Sequence, residues 1–242
     1  MHHLRSHSLL AIVAIAALSG ASAFAAPPAA FTIEDVMQAP YPSSLTASSK
    51  GNSVAWVFDT KGCRNVWLSQ GGHAHAITTY TLDDGFDIGD LAVAPDASMV
   101  AFVRGQSIED DLPANVSNSP DGAAPKEVFL VAASGGAPRK LGVGHSPSFS
   151  PDGTRLVFID KGRILSTALA EGSAVTPVIV DQGRVASVTF SPDGKKLAFV
   201  SGRKQHSLIG VYDFAAKTLT WLSPSLDQDI SPTFSRDGSQ VA

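Results

Sequence analysis

Three stretches bring together side chains that could do chemistry. Gly144-His145-Ser146-Pro147 sets a histidine beside a serine, the pairing from which an activated nucleophile is built. A hydrolase nucleophile turn needs G-x-S-x-G, however, and the second glycine is missing. Ser146 also enters what reads as a strand, so it gains no catalytic role. His73 and His75 would share one face of an extended segment and could begin a metal site, but no carboxylate or third histidine stands nearby. After the Gly71-Gly72 turn they read as solvated loop histidines. Asp83-Asp84-Gly85-Phe86-Asp87 has the look of a calcium loop without its terminal glutamate. There is no phosphate-binding loop, no H-E-x-x-H and no Cys/His zinc spacing. The sequence therefore points to no catalytic residue, no metal and no cofactor in this segment.

The elements that carry these residues repeat. In Ser146 to Ile159 (SPSFSPDGTRLVFI), one apolar-alternating run ends at Ser150, Pro151-Asp152-Gly153 turns the chain, and Leu156 to Ile159 return as a second strand. Proline presets φ, aspartate hydrogen-bonds the backbone two residues on, and glycine takes the φ > 0 position. Near-copies occupy 45–58, 91–103, 187–200 and 231–242, and the offsets between their turn positions are 46, 56, 41 and 44 residues. Asn65 to Leu68, Glu127 to Ala132, Arg163 to Thr167 and Leu208 to Tyr212 read as third strands. Short fourth strands such as Ala76-Ile77-Thr78 or Leu219 to Leu222 follow. A four-stranded sheet with two apolar faces must pack against neighbours, and a period of this size predicts an all-β propeller of four-stranded blades. About five blades are present, so the ring is expected to be incomplete. Trp56, Phe102, Phe158, Phe199 and Trp221 are assigned to packing between blades.

Around this array the chain divides into residues 1–25, 26–44 and 45–242. Arg5, an apolar run from Leu9 to Leu18 and small residues up to Ala25 form a secretory signal peptide, the alternative being an uncleaved anchor. Export to the periplasm or outside the cell follows, with no membrane attachment after cleavage. Residues 26–44 are a lead-in, in which Phe31 to Gln38 could form a helical turn or two before Pro40 and Pro42. Gly105 to Lys126, polar and rich in Pro, Ser, Asn and Asp, is an insertion between second and third strands. Loss of the leader removes Arg5 and no acid, leaving 17 basic against 22 acidic residues and a net charge of −5. That balance lacks the basic stripe of a nucleic-acid binder. Cys63 stands alone, so it reads as a buried, inert thiol rather than half of a disulfide. The last residues, Gln240-Val241-Ala242, fall where a return strand should begin, so the chain is expected to be a fragment of a longer polypeptide.

The connecting segments carry a family resemblance. Ala55-Trp56-Val57-Phe58 through Leu68, Ile77 to Gly85, Gly135 to Gly142 and His206 to Pro232 together resemble exported bacterial peptidases of the prolyl oligopeptidase family, in the dipeptidyl-peptidase-like and acylaminoacyl-peptidase-like branch. The resemblance covers nearly all of the mature chain. It implies a propeller of seven or eight blades followed by an α/β-hydrolase domain that carries a Ser-Asp-His triad, none of which lies here. In that family the propeller covers the active site and restricts access to short or unstructured peptides, so the implied partner is a peptide substrate met through the absent hydrolase domain. Holding a substrate ammonium would take carboxylates on the loops facing that domain. By this resemblance the candidate substrate-binding residues are Arg104, Glu109, Asp110, Asp111, Asp83 and Asp84, against the alternative that all six are merely solvated. The glutamate pair of dipeptidyl peptidases has no clear match. The rival reading is a TolB-like periplasmic propeller that works as a protein-interaction module. Oligomeric state is left open.

Overall fold

The structure, a computed structural model, describes residues 31–105, 125–222 and 226–242. Residues 1–25, read from sequence as a signal peptide, and most of the insertion, with Glu109, Asp110 and Asp111, lie outside them. Among the described residues, sixteen strands form four antiparallel sheets of four, each with its strands in chain order. Blade 1 comprises β1 (Tyr41–Ala47), β2 (Ser53–Thr60), β3 (Cys63–Gln70) and β4 (His73–Ala76). Blade 2 comprises β5 (Asp87–Val93), β6 (Met99–Gly105), β7 (Glu127–Ala132) and β8 (Arg139–Val143). Blade 3 comprises β9 (His145–Phe149), β10 (Arg155–Asp160), β11 (Arg163–Ala168) and β12 (Thr176–Val180). Blade 4 comprises β13 (Arg184–Phe190), β14 (Lys196–Arg203), β15 (His206–Asp213) and β16 (Thr218–Leu222). Of the fifth unit, a bridge between Phe234 and Val241 is formed. The expected propeller blades are present, and the ring is open.

The blades pack face to face through the second strands. Ala55, Val57, Val66 and Leu68 of blade 1 meet Val93, Val100 and Phe102 of blade 2. Ala101, Val103, Val128 and Leu130 meet Leu156 and Phe158 of blade 3. Val157, Ile159 and Ile164 meet Val185, Leu197 and Phe199 of blade 4. A sheet covered on both faces needs no polar alternation. Leu156 through Asp160 are accordingly all buried, whereas in β2 the buried Ala55 and Val57 alternate with half-buried Trp56 and Phe58. Phe102, Phe158 and Phe199 thus fill the packing role expected of them. Trp56 instead joins Phe58 and Trp67 in an aromatic cluster on the outer face of blade 1, with ring centroids 5.4 to 6.3 Å apart.

One irregularity recurs in every blade. The pairing of β1 with β2 shifts between Ser43 and Thr46, and the same shift occurs in the first strand of each later sheet. Two residues there oppose one, which is a β-bulge. The single opposing residues are Trp56, Phe102, Phe158 and Phe199. The bulged residues Ser44, Asp90, Ser146 and Ser187, and their counterpart Ser231 in the fifth unit, all have φ between 46° and 55°, a left-handed conformation that short polar side chains tolerate.

Several local readings shift. The helix α1 (Ile33–Gln38) is shorter than the stretch read from sequence, because Thr32 caps it: Asp35 N–H donates to Thr32 Oγ1 at 3.1 Å and Thr32 N–H to Asp35 Oδ2 at 3.0 Å. It buries no residue, and Pro40 stops it. β1 begins at Tyr41, inside the lead-in. The fourth strand of blade 1 ends at Ala76 rather than spanning Ala76 to Thr78, since Val66 N–H donates to the Thr78 hydroxyl (2.9 Å) instead of to a strand carbonyl. His73 and His75 are therefore strand residues, not loop residues; both are exposed, and His75 Nε2 lies 2.9 Å from the Ala133 carbonyl. Cys63 is half-buried rather than buried.

Candidate functional site

Strand direction divides the array into two ends. The hairpin turns between first and second strands emerge at one end. Connections from second to third strands, and from each fourth strand to the next blade, emerge at the other. Loops hold function more readily than packed strands do, and this second end carries the candidate residues.

At that end each blade is locked by an aspartate and an arginine. In blade 1, Arg64 Nη2 lies 3.2 Å from Asp59 Oδ2, and its Nε lies 3.3 Å from Asp87 Oδ1 at the start of blade 2. The same guanidinium donates to the Gly62 and Phe86 carbonyls, tying a hairpin to the loop beside it. In blade 2, Arg104 pairs with Asp84. Its guanidinium carbon sits 4.3 Å from the Tyr80 ring centre and 5.0 Å from that of Phe86, so the cation is held between two aromatic faces. Burial raises the Tyr80 phenol above its ordinary pKa, against the lowering effect of the Arg104 charge. In blade 3, Arg163 pairs with Asp160. In blade 4, Asp181 accepts from the Ser201 hydroxyl, from Arg203 Nη2 at 2.7 Å and from Gly183 N–H at 3.0 Å. Arg203 Nε is buried without a hydrogen-bond partner.

The structure thus brings two of the expected site residues together, as partners of each other. Arg104 reaches Asp84, and the Asp84 carboxylate also accepts from Phe86 N–H at 3.1 Å. Asp83, next in the same loop, accepts from Gly85 N–H at 3.3 Å and lies over Gly62, where a side chain would collide with its carboxylate. Gly62 has φ +83°, so the hairpin of blade 1 and this loop fit only because that residue is glycine.

Beside these residues a cleft of about 300 Å³ opens between blades 1 and 2, bordered by Arg64, Asp87, Asp90, Gly105 and Lys126. Asp90 is one of the bulged residues, and its Oδ2 accepts from Ser146 N–H of blade 3 at 3.0 Å. Ser146 Oγ lies 3.0 Å from His145 Nδ1. Burial lowers the His145 pKa, opposed by the Asp90 and Asp160 charges and reinforced by Lys126. A neutral imidazole beside a serine is a nucleophile's arrangement in outline. The Asp90 carboxylate, though, holds the Ser146 backbone rather than the imidazole, so no Ser-His-Asp relay is formed. Among the described residues no group of three or more His, Cys, Asp or Glu side chains could hold a metal ion.

Arg64, Asp90, Lys126, Asp181 and Arg203 were not singled out from sequence, and Asp87 only as the last residue of the calcium-like run. The repeat itself held the signal for one pair: twenty residues separate Asp84 from Arg104, and twenty separate Asp181 from Ser201.

No helix among the described residues is long and apolar enough to cross a membrane. No family model and no curated relative matches the sequence. Solved structures do match its fold. TolB from Acinetobacter baumannii aligns over 84% of this chain and 48% of its own, at 21% identity and a TM-score of 0.55. A prolyl endopeptidase aligns over 82% of this chain and 31% of its own, at 15% identity and a TM-score of 0.56. The tricorn protease aligns over 84% of this chain and 19% of its own, at 15% identity and a TM-score of 0.57. The chain thus spans less than half the length of each of these proteins.

Proposed function

We propose that this chain is the propeller portion of an exported serine peptidase of the prolyl oligopeptidase type, a non-catalytic cover that admits short peptides to a hydrolase domain. The observation that carries the reading is the asymmetry between the ends of the array. One end carries the repeated turns between first and second strands. The other gathers the Arg–Asp locks, the longest connection and the 300 Å³ charged cleft. In this reading the second end turns toward the hydrolase. Asp83, Asp84 and Arg104 stand on it, while the insertion acids Glu109, Asp110 and Asp111 lie outside the described residues. Arg104 acts there paired with Asp84, shaping the loop over which a substrate terminus passes. The prolyl endopeptidase and tricorn protease folds, both named for peptide-cleaving proteins, agree with this assignment.

The TolB match favours a second reading, a periplasmic propeller that works by protein contacts. Reading the gene beyond codon 242 separates them. Several hundred further codons with a G-x-S-x-G are expected, and the protein encoded should cleave short peptides but not folded proteins. Arg104→Ala in that protein should raise KM for short peptides more than it lowers kcat. A reading frame that closes after one or two further blades would overturn the peptidase reading in favour of the interaction module.

A further inference from the structure

The first blade breaks the turn pattern at Ser49 and Lys50, and the second of these does something its counterparts do not. Where the other four units have Asp96, Asp152, Asp193 and Asp237, the first has Lys50. Those aspartates fold back on their own turns. Lys50 instead crosses the hairpin end of the array and donates its ammonium to the Pro151 carbonyl of blade 3 at 2.5 Å. Beneath it is a hollow of about 450 Å³ to which the first strands of all four blades contribute, placing it on the propeller axis. That volume falls within the range of small-ligand sites.

The lining has a definite chemical character. Leu91, Phe149 and Phe190 supply apolar walls, and Thr46, Ser148 and Thr189 bring hydroxyls from three blades. Lys50 is the sole charged residue bordering the hollow among the described residues, in a chain whose net charge is −4. An ammonium at the rim of an apolar hollow, with no carboxylate among the lining residues, selects an anion attached to an apolar group. Hydroxyls spread over three blades suit amide groups, which a hydrocarbon tail lacks.

We propose that this axial hollow binds the C-terminal end of a peptide whose last side chain is apolar, its carboxylate taking the Lys50 ammonium from the Pro151 carbonyl. The hollow lies at the opposite end of the array from the Arg–Asp locks, so this inference and the peptidase reading stand or fall separately. The test titrates the 242-residue chain with a fluorescent, N-acetylated hexapeptide ending in leucine, as the free acid and as the C-terminal amide. The acid should bind saturably, and the amide about tenfold more weakly, equivalent to ~1.4 kcal/mol. Lys50→Met, whose melting temperature should match the parent because Lys50 is exposed, should bring the acid down to the level of the amide and leave the amide unchanged. Thr189→Val should weaken both forms about threefold. Equal binding of acid and amide, or equal weakening of both by Lys50→Met, would overturn the proposal. So would displacement of the peptide by decanoate at lower concentration than by unlabelled peptide, which would make the hollow a fatty-acid site.

Discussion

Both ends of the blades are fastened by aspartates, but the partners differ. At the hairpin end, Asp96, Asp152, Asp193 and Asp237 each accept from a backbone N–H two residues on, and the last three also accept from the serine two residues before them. These bonds are local, and the aspartates that accept them stand exposed, although Ser150 and Ser191 are buried. At the other end, Asp84 and Asp181 reach arginines 20 and 22 residues away, and the Asp181 side chain is only 5% exposed, whereas Asp160 holds an arginine three residues on within its own hairpin. A local cap shapes its own turn and leaves its neighbours free. A long-range lock fixes one loop to another and, being half out of water, is costly to leave half-made. Sequence repetition therefore advertises the end that matters less for holding the face together.

Substitutions can break this comparison in graded steps. Asp181→Ala should do most harm, about 3 kcal/mol, because it strands Arg203 and the Ser201 hydroxyl in a largely buried place. A urea melt showing less than about 1 kcal/mol would erase the distinction between the ends. Arg104→Ala should cost about 2 kcal/mol through the lost ion pair and the uncovered Tyr80 and Phe86 rings. Arg104→Lys should recover only part of it, since a point charge does not lie flat between two rings. A double-mutant cycle with Asp84→Ala reads the pair itself, with about 1 kcal/mol of coupling expected. Asp152→Ala, at the exposed end, should cost only about 0.5 kcal/mol, as water replaces what is lost.

The smallest effect is on acid sensitivity. Donation from Ser98 N–H holds the Asp96 carboxyl below the usual range, and the hydroxyls of Ser150 and Ser191 do the same for Asp152 and Asp193. The Ser235 hydroxyl helps bring Asp237 down to about 2. Folded values below the unfolded ones mean that their stabilisation is complete above about pH 4 and lost as pH falls toward 2. The urea midpoint should thus decline across that window, and replacing Asp237 by Asn should make the decline shallower. An unchanged slope would show that the hairpin bonds contribute nothing measurable.

Much of this architecture was legible because its determinants are local. A proline, an aspartate and a glycine in succession specify a hairpin wherever they fall, and period-2 runs beside them give the strands. The continuous apolar runs of β6, β10 and β14 announced sheets covered on both faces. The bulges were not legible, since serine is unremarkable in a strand and its left-handed φ reflects pairing with the strand opposite. The end of β4 was misjudged for a similar reason: a threonine hydroxyl, not a backbone carbonyl, took the Val66 N–H. Arg104 and Asp84 were both named, but their union was not foreseen, because its trace in the repeat is a twenty-residue spacing shared with Asp181 and Ser201, where a serine stands in place of the arginine.

The turn glycines have a consequence that runs from one repeat to the next. A side chain added at Gly153 would come within 3.7 Å of Pro95, one at Gly194 within 3.5 Å of Pro151, and one at Gly238 within 3.5 Å of Pro192, in each case the turn proline of the preceding blade. Where that proline is missing, at Ser49, the following unit carries Ala97 in place of glycine. At these distances an added Cβ would touch the proline without clashing, so each turn leans on the one before it and successive blades meet at their tips as well as through their sheets.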